Sequence, residues 1–362
     1  MGMTAKERVR LALEHKETDI PPFSWGFGMS YPAKEDLARH VKLPSVDALE
    51  PYLSAVDDCA WVNADYIGPK ERNGYDSERV RTDVWGVRWK YQSFGAGGYE
   101  EMDGNPLAEI ESEEEFDAYM LPSPDWWDYS TLRDKIAVIN SAGEKAIKIG
   151  NGNIFETVTY MRGLENILMD IYINPELLHH MLRKVTDYYI GFFDRVLSAA
   201  QGEIDIVFTA DDLGTQNGLM MSPEAIGEFI APYHKELNEL LHSYGVKVMY
   251  HSCGAVSEAV QALIDCGVDV LESLQFYTVG MDPVDLKARF GDGICFHGGV
   301  SVQKTLVTGS TQAVADEVEW LAGSLGKGGG YILAPAHIVQ AGTPPENVMA
   351  MLAAAGRRLL PE

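Results

Sequence analysis

Eight short apolar runs, separated by helical patterns, recur along this chain and restrict its fold more than any other feature. They lie at 20–25, 59–64, 145–150, 204–210, 246–252, 268–273, 293–298 and 331–335. Each is strand-length and bounded by turn residues. The helical stretches between the later runs carry start signals: Asn174-Pro175-Glu176, Ser222-Pro223-Glu224, and Thr343 with Glu346 at capping-box spacing. Strand–helix alternation implies parallel βαβ units, and eight of them imply one closed (β/α)8 TIM-type barrel over residues 1–362. The stretch from about 80 to 125 breaks the alternation. Its Asp83-Val84-Trp85-Gly86-Val87-Arg88-Trp89 reads as an antiparallel hairpin inserted between the second and third strands, with an acidic helix after it.

Charge narrows the partners. A net charge of −25 repels nucleic acid and anionic membrane surfaces. No apolar run approaches the ~18 residues of a membrane span, and residues 1–19 read as an amphipathic helix rather than a secretory signal. The four cysteines (Cys59, Cys253, Cys266, Cys295) are too few for a disulfide framework. Free thiols in a reducing cytoplasm are expected. The oligomeric state is not legible, and a homodimer stays open.

In such barrels chemistry sits at the carboxyl ends of the strands. The fourth run ends in Asp211 and Asp212, the fifth in His251 and Cys253, the sixth in Glu272 and Gln275, the seventh in Cys295 and His297, and the eighth in His337. Side chains two apart on a strand share a face, so His251 and Cys253 project together as a potential chelating pair. Asp211 and Asp212 are adjacent and face opposite ways, and Asp212 is favoured for the mouth. Glu156 and Tyr160 follow the third run and reach toward the same opening. Cys295 and Cys266 read mainly as core, and His179 and His180 as helix packing.

These motifs, in order, resemble the uroporphyrinogen decarboxylase superfamily. The resemblance rests on His251-Ser252-Cys253-Gly254, Val270-Leu271-Glu272-Ser273-Leu274-Gln275, Phe296-His297-Gly298-Gly299-Val300, and Ala334-Pro335-Ala336-His337 with Thr343-Pro344-Pro345-Glu346-Asn347-Val348. The Glu7-Arg8-Val9-Arg10 helix before Asp19-Ile20-Pro21-Pro22, and Arg162-Gly163 with Glu165 and Asn166, extend it over the whole chain. The superfamily implies one of two chemistries. Its decarboxylases are metal-free and bind a multi-carboxylate tetrapyrrole through an arginine-rich loop, but residues 23–31 here contain no arginine. Its other branch, the methylcobamide:coenzyme M methyltransferase-like enzymes, uses zinc and a corrinoid, with a His-x-Cys pair that matches His251 and Cys253. The third ligand of that branch is a Cys, and this chain has His337 there.

The resemblance thus implies a zinc site of His251, Cys253 and His337, with Glu272 as a displaceable fourth ligand and as a catalytic group beside Asp212. Glu156, Tyr160, Asp211, Gln275, His297 and Trp25 are the expected substrate contacts. The implied reaction moves a methyl group between a corrinoid (cobalamin) and a small methylated substrate or thiol, demethylation of a methoxy compound included. No Asp-x-His-x-x-Gly motif is present, so the corrinoid would come on a partner protein. The alternative is a metal-free decarboxylase of uroporphyrinogen III or a related tetrapyrrole, with Asp212 or Asp211 stabilising a protonated pyrrole. An inactive corrinoid- or porphyrin-binding barrel is a third reading.

Overall fold

A computed structural model describes residues 2–94 and 97–360. Seven parallel strands form one curled sheet: Cys59–Trp61, Ala146–Gly152, Ile206–Ala210, Lys247–His251, Val270–Glu272, Cys295–Val300 and Tyr331–Pro335, each paired with the next. The remaining stave, first in chain order, is the run at 20–25, reduced to a single parallel bridge between Phe23 and Leu333. The reason is local. Pro21 and Pro22 have no N–H to give a ladder, and the Phe23 N–H goes to the Asp58 side chain at 2.9 Å. Ser24 N donates to Leu333 O (2.9 Å) on one side, and Asp58 N donates to Phe23 O (2.8 Å) on the other, so this short segment joins the last strand to Cys59–Trp61. The result is a TIM-type α/β barrel.

Alternation along the strands divides the core in two. Cys59, Ala146, Ile206, Phe208, Met249, Val270, Cys295 and Ile332 form one cluster, and their strand neighbours, such as Ile147, Val207, Val248, Tyr250, Leu271 and Phe296, join a larger one with the helices. Cys295 is fully buried, and burial pushes its thiol up to about 12, which suits packing and not metal ligation.

Helix starts follow the sequence signals with one correction. Ser222 caps the helix Pro223–Phe229 through Ala225 N, and Pro175 opens the helix Pro175–Ala200. The last helix, however, is Pro345–Ala354 with Pro344 at its cap, so Thr343 lies one residue outside and forms no capping box. The Thr343 hydroxyl is left buried without a hydrogen-bond partner.

Between the second and third staves the chain builds antiparallel structure. Asp65–Tyr66 pairs with Trp127–Asp128, and Gly74–Tyr75, Val80–Thr82, Arg88–Phe94 and Gly97–Met102 form a four-stranded sheet. The helix Glu113–Asp117 follows. Asp83 shapes the turn: its carboxylate accepts from Trp85 N (2.9 Å) and Val87 N (3.0 Å). Gly86 completes it at φ +85, where a Cβ would sit 1.9 Å from the Arg72 guanidinium.

Candidate metal centre

His251 ends the fifth stave, and Cys253 lies two residues on, facing the same way. His337 arrives from the loop after the eighth stave. One ligand atom from each lies within 4.8 Å of the other two. Cys253 Sγ is 3.4 Å from His251 Nε2. The ring of Phe27, in the loop after the first stave, packs against both imidazoles, with centroids 4.9 Å from His251 and 5.0 Å from His337.

The loop that carries Cys253 is held from two sides. Cys253 N donates to Asp212 Oδ1 (2.8 Å), and Gly254 N donates to Gln275 Oε1 (3.0 Å). Gln275 also donates its amide N–H to Cys253 Sγ (3.4 Å). Gly254 sits at φ +85, and a Cβ there would come within 2.6 Å of Gly214 backbone, so the loops after the fourth and fifth staves meet only because both residues are glycine.

Glu272 is paired in register with His251 on the adjacent strand. Its carboxylate therefore reaches the Nδ1 side of the imidazole and accepts a hydrogen bond there. The sequence reading made Glu272 a metal ligand. In the structure it lies outside the group of three, and its carboxylate meets the far edge of the His251 ring. Its second oxygen, Oε1, is buried and unpartnered, 3.8 Å from His297 Nδ1.

Burial pushes the Cys253 thiol up, but hydrogen bonds from His251 and His337 outweigh it and hold the thiol below its ordinary range. Burial likewise opposes charge on His251, and the Glu272 carboxylate overrides it, raising the imidazole well above its usual value. The site thus favours the thiolate and keeps a proton on His251 until something displaces it. A thiolate with two imidazoles is a donor set that suits zinc, with room left for an exchangeable ligand.

The other expected site residues divide. Asp211 and Asp212 part as strand geometry requires. Asp211 turns away, fully buried, accepting from Glu156 N (2.7 Å) and pairing with His234 Nε2 (2.5 Å). Asp212 faces the triad, 3.5 Å from His251 Nε2. Glu156 accepts from Tyr160 OH and Asn153 Nδ2, both at 2.5 Å, and burial pushes its carboxyl up. His297 is fully buried below Glu272 with neither ring nitrogen partnered, and burial pushes it down to about 3. Trp25 packs edge-on to Phe23 and donates to Leu53 O (2.9 Å), away from the triad.

Two residues escaped the sequence reading. Phe27 had no signal, because an aromatic in an irregular loop can go anywhere. Lys148 had one: a charge in an otherwise apolar strand, two residues from Ala146 and so on the inward face. It is 2% exposed, donates to Ser24 Oγ (3.3 Å) and lies 4.6 Å over the Trp61 ring.

Among proteins of known function, the chain is 22% identical to a uroporphyrinogen decarboxylase of Anaeromyxobacter sp. over 301 residues, 79% of this chain and 82% of the relative. It is 25% identical to the methylcobamide:CoM methyltransferase MtaA of Methanosarcina barkeri over 179 residues, 49% of this chain and 48% of that one. The fold is shared with a methyltransferase from Methanosarcina mazei: TM-score 0.71 at 17% identity, covering 98% of both chains. The family profile of uroporphyrinogen decarboxylase (URO-D) matches residues 97–358, and the chain belongs to that family.

Proposed function

We propose that the protein is a zinc-dependent methyltransferase that moves a methyl group between a small methylated substrate or a thiol and a corrinoid carried by a partner protein. The observation that carries this reading is the triad itself: His251, Cys253 and His337, with ligand atoms within 4.8 Å of one another at the barrel mouth. Zinc held there would supply Lewis acidity toward a methyl ether oxygen or generate a bound thiolate. The chain's own residues do the rest. Glu272 fixes the tautomer and angle of His251, Asp212 and Gln275 fix the Cys253 loop, and Phe27 packs on both imidazoles and limits water at the ligand edges. Asp212, 3.5 Å from His251 Nε2, is the carboxylate on the open side of the triad for a proton at the mouth.

Metal-free decarboxylation of a tetrapyrrole is the second reading, favoured by the relatives named uroporphyrinogen decarboxylase. Against it stands residues 23–31, which carry no arginine to compensate substrate carboxylates. The test is metal content joined to turnover. The methyltransferase reading expects about one zinc per chain, lost in His251→Ala and Cys253→Ala, with methylation of reduced cobalamin lost in step. Full activity on uroporphyrinogen after metal removal would overturn it.

A further inference from the structure

A cavity of about 300 Å³ lies where the antiparallel insertion meets the carboxyl end of the third stave. Its floor is Ile149–Asn151, and the rings of Trp85, Trp89 and Trp127 come over it from the insertion. Two relays of contacts run from it toward the triad. A Cβ on Gly150 would be 3.2 Å from Phe208, whose ring centroid is 6.2 Å from that of His251. Tyr160, in the wall, donates to Glu156, which feels the charge of Asp212.

The lining is aromatic and acidic at once. Trp85 meets Tyr188 at 4.9 Å and 75°, and Trp89 meets Tyr160 at 5.1 Å and 86°, so the rings stand as walls rather than a stack. No lysine or arginine lines the space. Asp83 does, its carboxylate held by the turn N–H groups and by Trp89 Nε1 (2.8 Å). Among the described residues Asp83 and Glu156 form no ion pair; the nearby Arg81 pairs with Glu100 at 2.8 Å and stands 5.6 Å from the Trp89 ring centroid. Burial pushes both carboxyls up, and at Asp83 the bonds from Trp89, Val87 and Trp85 and the charge of Arg81 oppose it without overcoming it.

An anion is repelled by such a site, and a neutral arene gains nothing from the buried charge of Asp83. A compact hydrated cation prefers oxygen ligands to rings. What fits is a cation with charge spread over methyl groups, which presents no strong donors and is attracted by ring faces. We propose that this cavity binds a methylated ammonium cation. Its role as methyl donor or acceptor rests on the methyltransferase reading; its binding does not.

The probe pair is choline and 3,3-dimethylbutan-1-ol, which share a shape and differ in charge. Each is titrated at matched ionic strength, read by tryptophan fluorescence and calorimetry on the full chain. The expected result is saturable choline binding at least about tenfold tighter than the alcohol. Trp89→Leu and Asp83→Asn should each weaken choline more than the alcohol, with urea unfolding as the check that the variants fold. Equal affinity for the two probes in the wild type, tighter binding of the alcohol, or no saturable binding of choline overturns the proposal without recourse to any variant. Repeating the titration in Cys253→Ala separates the two readings. Binding kept while zinc and methyl transfer fail leaves the cavity standing and removes only the chemistry.

Discussion

Glu272→Gln tests how the triad is built. Gln has the same length, so its amide oxygen can still accept from His251 Nδ1, and the change removes charge while keeping shape. Glu272 is 1% exposed, so that charge acts on the imidazole with little screening by water. Loss of an orienting carboxylate costs about 10–100-fold in metal affinity, or about 1.4–2.7 kcal/mol. A second effect opposes the first. In the metal-free protein Glu272 raises His251 well above its usual value, so zinc must displace a proton. The substitution weakens that competitor too. The two effects partly cancel where the wild-type imidazole is protonated, so the loss should be smaller at pH 6.5 than at pH 8. Competition against a zinc chelator at both pH values measures this. Wild-type affinity at pH 8 would refute the reasoning. A loss beyond about thousandfold would instead make Glu272 a metal ligand, the role read from sequence.

Three further outcomes are expected. His337→Cys should keep zinc, since thiolate binds it at least as well, whereas His337→Ala should release it to a mild chelator; retention in the Ala variant would remove His337 from the site. His297 is held neutral down to about 3 while the unfolded chain takes up its proton near ~6.5. The unfolded state therefore binds more protons between those values, and stability falls as pH drops through that window. His297→Leu should lose less between about pH 6.5 and 4.5 in urea titrations, and parallel pH profiles would contradict the assignment. His234→Ala strands the buried Asp211 carboxylate and should cost about 3–5 kcal/mol in urea unfolding; a cost under about 1 kcal/mol would mean water replaces the imidazole.

The barrel was legible because strand–helix alternation is local. Each buried parallel strand has to be a short apolar run, and each crossover helix needs a start signal, so period and punctuation reveal both. His251 and Cys253 were legible for the same reason: two residues on a strand share a face whatever surrounds them. The split between Asp211 and Asp212 follows from that periodicity as well. What lies across strands was not legible. Registry between the fifth and sixth staves sets which edge of His251 the Glu272 carboxylate meets, and a shift of one residue would turn that side chain to the other face. Loop closure brings His337 and Phe27 onto the same imidazole, and no local pattern encodes a loop's landing point. The aromatic cavity belongs to this second class, since its tryptophans come from the insertion and its floor from a barrel strand. Sequence determined which residues face inward; only tertiary packing decided which of them meet.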